Sequence, residues 1–266
     1  MPKRSSSSKV NQPDSSSLLT ESGANESDKW LTVSYQPVSL FSLKRSDATS
    51  MAARSNLVPT PYAIKMALLK ALLESQGSLH QTNFDQWIKT QFVWIRDLQM
   101  YVLPPERLVV NRNGYKLRYW NQQADKDYRK AHNKEAPAIS PMQDGFVFRE
   151  WVHLDGELQI CCGSTDRVAE LEQLFAQINY FGKRGCFFQY LPDAKRETPE
   201  PQFQPNAEAG FTVQPMDDLG EKTTFSRINP FSTEKAQLDK DRIIKPGFLP
   251  LQLTATSARY DLYKRN

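Results

Sequence analysis

Residues 165–191, TDRVAELEQLFAQINYFGKRGCFFQYL, read as a helix, a tight basic turn and a buried strand. Val168, Leu171, Leu174, Phe175, Ile178 and Phe181 repeat at helical spacing and make one apolar stripe. Ser164 or Thr165 is placed to cap the helix, and Asp166 sits where the helix dipole favours negative charge. Gly182 is expected to end it, because the residue after a helix often takes positive φ. Cys186 to Leu191 then read as a strand that Pro192 stops. Between helix and strand, Gly182–Lys183–Arg184–Gly185 joins two permissive glycines to two cations. Such a turn suits close approach to an anionic group, and equally suits a plain solvated connection.

A helix ending in Tyr180–Phe181–Gly182, then a basic pair, Gly185 and a short aromatic strand, resembles the CRISPR-associated RAMP proteins, and among them the Cas-five family. The resemblance implies a ferredoxin-like (RRM-like) RNA-binding domain with a glycine-rich loop after its second helix. It implies a subunit that caps the 5′ handle of the guide RNA in a Cascade complex.

Working back, residues 1–29 hold nine serines and few apolar residues, so they are expected to form a disordered tail. They carry no apolar segment of the kind that marks an export signal. Trp30 to Leu43 reads as the first strand, with Pro37 demanding an edge position or a bulge, and Lys44–Arg45 follow. A polar connection carrying Arg54 leads to Pro59–Thr60–Pro61–Tyr62. There Thr60 suits an N-cap and Pro61 a first helical turn. Ile64, Ala67, Leu68, Ala71 and Leu72 form the buried stripe of this helix, with Lys65 and Lys70 off it and an end near Gly77. The proline-bearing turn before an alanine-rich helix is the second similarity to the Cas-five family. Residues 82–90 read as a short helix and 91–103 as a second strand region, ended by Pro104–Pro105.

Residues 106–135 interleave cations with aromatic rings. Arg112 to Lys134 hold seven lysines and arginines against two acids, with Tyr115, Tyr119, Trp120 and Tyr128 among them. Cations neutralise phosphates and rings stack on bases, so this mixture suits single-stranded RNA. A solvated charged surface would show the same composition. Asn113–Gly114 is a hairpin turn signal that would present Tyr115 to Trp120 on a basic finger. Residues 145–162 read as a hairpin turning at Asp155–Gly156, with His153 as a strand residue. Residues 192–224, with five prolines and seven acids, read as an acidic linker or loop containing Asp217–Asp218. Residues 225–266 read as an extension with a short helix near 232–240 and a terminal strand.

The net charge of +4 is unevenly spread: residues 30–134 sum to +8, while 135–191 and 192–224 sum to −4 each. That asymmetry points to a polyanion on one face or to charged protein neighbours. Three cysteines without an export signal point to a reducing cytoplasm, and none has zinc-site spacing. No run approaches membrane-spanning length, so no membrane partner is expected. Phosphate-loop, dinucleotide and H-E-x-x-H motifs are missing, and no cofactor, metal or catalytic set is assigned.

The expected whole is an α+β protein, a ferredoxin-like RAMP domain over residues 30–191 with a basic insertion and a β-rich C-terminal extension. The expected function is non-catalytic binding of the guide RNA beside Cascade backbone and large subunits, near target DNA. The RNA contacts are placed at Lys44, Arg45, Arg54, Lys116, Arg118, Tyr119, Lys183 and Arg184. The rivals are a metal-independent endoribonuclease, for which Lys116, Tyr119 and His132 have suitable chemistry, and a basic scaffold for an acidic protein.

Overall fold

The computed structural model describes residues 29–48, 52–80, 82–131, 142–163, 165–200 and 211–265. The predicted tail lies outside these residues except for Lys29.

The chain begins with β1, Trp30–Pro37, in which Leu31, Val33 and Tyr35 are fully buried. Pro37 is the last residue of the strand, so it terminates β1 rather than forcing it to an edge, and β1 is central. Two short strands follow, β2 (Leu43–Lys44) and β3 (Ala52–Ala53), and then β4 (Ser55–Asn56), antiparallel to β2. Helix α1, Pro61–Gln76, starts as expected, with the Thr60 hydroxyl accepting from the Ala63 amide. Helix α2, Phe84–Asp97, runs through residues read as strand. Ile88, Phe92 and Ile95 are its buried face, and their spacing is helical. The strand β5 occupies only Gln99–Leu103.

Next come β6 (Arg107–Trp120), α3 (Gln122–Ala131), β7 (Met142–Asp155) and β8 (Leu158–Gly163). Helix α4, Val168–Ala176, ends at Gln177, five residues before Gly182. Arg167 stands at the N-cap and its side chain makes no cap bond; the Thr165 hydroxyl accepts from the Arg167 amide at 3.1 Å and from the Trp94 indole N–H at 2.9 Å, while Ser164 lies outside the described residues. Ile178 and Phe181 are buried all the same, in the loop beyond the helix. Strand β9, Phe188–Lys195, runs through Pro192. It can, because β9 is an edge strand and its register with β1 shifts between the Ser34–Leu191 and Thr32–Lys195 pairs.

These pieces assemble into a four-stranded antiparallel sheet in the order β5-β8-β1-β9. Along the chain α1 and α2 lie between β1 and β5, and α4 lies between β8 and β9. Tyr35 ties sheet to helix by donating its hydroxyl to the Phe175 carbonyl at 2.7 Å. On the sheet's other face Trp30 stacks on Tyr101, ring centroids 5.8 Å apart.

The expected 145–162 hairpin does not form. Strand β7 pairs β6, whereas β8 pairs β1 and β5, so Asp155–Gly156 carries the chain between sheets. Gly156 has φ +127° there, and a Cβ on it would lie 3.2 Å from Pro105. The two crossing segments thus touch. The second sheet has the order β12-β13-β6-β7-β3, with β12 (Leu251–Thr256) and β13 (Tyr260–Arg265) as a C-terminal hairpin.

Residues 212–219 are no linker. They form β10, Thr212–Leu219, antiparallel to β11, Arg242–Leu249. Buried Gln214 accepts from the Leu57 amide at 2.7 Å and donates to the Val58 carbonyl at 3.1 Å, which fixes β10 to the segment before α1. The short helix of this region is α5, Phe225–Ile228, earlier than expected. No helix among the described residues is long and apolar enough to cross a membrane.

Candidate nucleic-acid interface

Asn113–Gly114 does not turn. Strand β6 continues through it, and Gly114 lies opposite Phe148. A Cβ at Gly114 would meet the Phe146 ring at 2.6 Å, so this glycine makes room for two rings crossing edge-on at 4.9 Å. Strand β13 stops pairing at Asn111. Beyond it β6 continues with β7, which β3 flanks at Phe148 and Arg149; past those residues the two strands run on as a two-stranded arm, and most of the side chains on it are exposed.

Between this arm and the helical body lies a groove of about 670 Å³. Its cations are Lys44 from β2, Lys183 from the glycine turn, Arg149 from β7 and Arg242 from β11. The arm adds Phe148, 55% exposed, and Leu117. Asp217 is the acid of the lining, and it is already engaged: it accepts from Ser46 and from Arg242, the Nε at 3.0 Å. Arg242 also covers the Tyr62 ring, 4.7 Å from its centroid. Lys44 and Lys183 are exposed and have no ion-pair partner among the described residues. The groove therefore keeps uncompensated positive charge beside an open aromatic face.

The glycine turn sets Lys183. Gly182 has φ +66° and Gly185 φ +98°, both in the region that disfavours side chains. The Cys186 amide donates to the Lys183 carbonyl at 3.1 Å, closing the turn. A Cβ at Gly182 would sit 3.0 Å from Leu43, which packs under the turn.

Residues 1–266 match no family model. Against curated proteins, 215 residues are 23% identical to CRISPR-associated protein Cas5 of Archaeoglobus fulgidus, covering 77% of this chain and 86% of that protein. Over that span the chain is similar to this Cas5 protein. Among solved structures, a CRISPR protein from Archaeoglobus fulgidus superposes at TM-score 0.38 with 12% identity, over 89% of this chain and 92% of the other. A chain of a CRISPR RNA-guided surveillance complex superposes at 0.34 with 10% identity, over 83% and 90%. Both superpositions are loose.

The eight residues chosen from sequence fall in four places. Lys44 and Lys183 meet in the groove. Arg45 and Arg54 line a separate cavity of about 160 Å³ with Arg112, Glu150 and Asp261. There Arg45 is held by Asp47 at 2.8 and 3.0 Å, and that bond keeps the Asp47 carboxyl below its usual value. Lys116, Arg118 and Tyr119 stand exposed on the arm, Arg118 beside Asp144 at 3.2 Å. Arg184 is exposed in the glycine turn and does not line the groove. Arg149, Arg242 and Phe148 were missed, because their elements come near Lys44 only once the sheets are assembled. His132 lies outside the described residues, so the endoribonuclease set is not brought together on them. His153 is exposed on β7. No group of three or more metal-ligating side chains occurs among the described residues.

Proposed function

We propose that this protein belongs with the Cas5 proteins as a non-catalytic RNA-binding subunit of a Cascade-type surveillance complex, and that its groove grips the 5′ handle of the guide RNA. The succession of strands and helices supports reading the first sheet as a ferredoxin-like RAMP body, with the β6–β7 arm as the basic insertion. The observation that carries the reading is the pairing of Lys44 and Lys183, both without an ion-pair partner among the described residues, with exposed Phe148 across one groove. Cations hold a single strand by its phosphates and an exposed ring holds a base by stacking, without needing base sequence. Arg118, Lys116 and Tyr119 extend the same chemistry along the arm, where backbone and large subunits and the nearby target DNA would be neighbours.

The test is ultraviolet cross-linking of the assembled complex followed by peptide mapping. Cross-links from the guide RNA to the peptides carrying Lys44, Phe148 and Lys183 are expected. Cross-links confined to other subunits would overturn the proposal. Discrete cleavage of a repeat RNA by the purified chain in EDTA would replace it with the endoribonuclease reading.

A further inference from the structure

Arg242 opens β11 and Asp217 lies on the neighbouring β10, and both line the groove from the C-terminal extension. Asp217 is 2% exposed. Its oxygens are divided: Oδ1 accepts from the Ser46 hydroxyl, and Oδ2 accepts from Arg242, from Nε at 3.0 Å and from Nη2. Arg242 is the open member of the pair, its side chain 41% exposed. The Tyr62 ring, also in the groove lining, supports the guanidinium from its face. A guanidinium carries donors on more than one edge. Asp217 takes the Nε edge, and Nη1 makes no hydrogen bond among the described residues. Apolar side chains of similar volume usually join two strands at least as well as a buried ion pair. What the ionic pair adds is an arginine of fixed plane on the groove wall, with donors unspent, beside Lys44 and Lys183.

We infer that Arg242 is a third phosphate contact for the RNA strand in the groove, and that Asp217 is the positioning residue that fixes its guanidinium for that contact. The inference rests on the proposed RNA-binding reading and adds the C-terminal extension to the binding surface. With one edge on the carboxylate, the guanidinium offers its Nη edge to the oxygens of a phosphate, a planar match that an ammonium does not have. Asp217 cancels the charge of Arg242, so the pair supplies direction, while Lys44 and Lys183 supply net positive charge.

Fluorescence anisotropy of the full chain with a labelled single-stranded repeat RNA, at several salt concentrations, tests it. Arg242→Gln/Asp217→Asn removes both charges together, so the groove keeps its net charge and no buried ion is left unpaired. This double variant is expected to bind about tenfold more weakly, for one lost charge-assisted contact, with a salt slope smaller by up to about 0.7. Wild-type affinity and slope in it overturn the contact. Asp217→Asn alone makes the groove more positive, so charge by itself predicts tighter binding, whereas loss of positioning predicts weaker binding. Tighter or unchanged binding overturns the role of Asp217. Should either variant not fold, Arg242→Lys decides: it keeps the charge and is expected to bind more weakly at an unchanged slope, and wild-type affinity in it overturns the inference. A Lys44→Ala/Lys183→Ala protein separates the two levels. If it binds as the wild type does, the RNA-binding reading itself has failed. If it binds weakly while Arg242→Gln/Asp217→Asn binds as the wild type does, only the role of Arg242 and Asp217 has failed.

Discussion

Lys65 and Asp218 form an ion pair, Nζ to carboxylate 2.7 Å, with the lysine only 2% exposed. The same ammonium donates to the Arg96 carbonyl at 2.8 Å, in the last turn of α2. One buried cation therefore joins α1, the carbonyl end of α2, where the helix dipole favours positive charge, and β10. Removing the anion should be worse than removing the cation, since a buried ammonium without its partner is strongly disfavoured. Asp218→Asn is expected to lower the free energy of unfolding by about 2 kcal/mol, less than a fully buried pair because Asp218 is partly exposed. Lys65→Met is expected to cost less. Urea denaturation of the two variants measures the difference, and equal losses would contradict it.

Arg112 locks the C-terminal hairpin to the base of the arm. It bonds Asp261, reaches Glu150 at 3.4 Å and donates to the Ser257 carbonyl at 2.9 Å. Arg112→Met would leave two poorly exposed carboxylates without their cation, at a cost of about 3 kcal/mol. Hydrogen exchange should then rise first in β12 and β13. Uniform acceleration across both sheets would argue against a local lock.

The three cysteines are free and buried. Burial pushes the Cys161 thiol up to about 11 from an ordinary 9.0, and pushes the Cys162 thiol and the Tyr35 phenol upward as well. Each is an acid whose folded pKa exceeds its unfolded one. The stabilisation they give is complete below pH 9 and is lost as pH rises, for Cys161 across the span up to about 11. Melting temperature should hold up to about pH 9 and fall beyond it, as unfolded thiols ionise. A flat profile to pH 11 would contradict the burial. Iodoacetamide should leave the native protein unmodified at neutral pH and label all three thiols in denaturant.

Gly182→Ala places a side chain at φ +66° and within 3.0 Å of Leu43. The conformation alone costs about 1–2 kcal/mol. RNA affinity should fall along with stability, because the turn aims Lys183 into the groove. At Gly185 nothing lies within 4 Å of a new Cβ, so Gly185→Ala carries only the strain of φ +98°. If both variants bind RNA as the wild type does, the turn has no part in positioning Lys183.

What could be read from the chain alone was governed by contact range. Thr60 and Pro61 announce α1 because cap and first turn are local chemistry. The Ile88, Phe92, Ile95 spacing of α2 was also local, but was outweighed by the β-prone run around it. The Asn113–Gly114 and Asp155–Gly156 signals misled because β6 and β7 find each other across fourteen residues each. That ladder overrides a two-residue turn preference and sends the chain to another sheet. Lys65 lies off the apolar stripe by helical phase, and is buried because its partners Asp218 and the Arg96 carbonyl come from elements distant in sequence. The groove was half legible for the same reason: Lys44 and Lys183 are marked by their own turns, whereas Arg149, Arg242 and Phe148 join them only through sheet assembly.

The central claim is that Lys44 and Lys183 neutralise phosphates of one RNA strand in a single groove. The most direct measurement is the dependence of affinity on salt for wild type and for Lys44→Ala/Lys183→Ala, using a single-stranded repeat RNA. Each phosphate contact contributes about 0.7 to the slope of log affinity against log salt. The double variant is predicted to bind more weakly with a slope smaller by about 1.4. An unchanged dissociation constant with an unchanged slope would contradict the account.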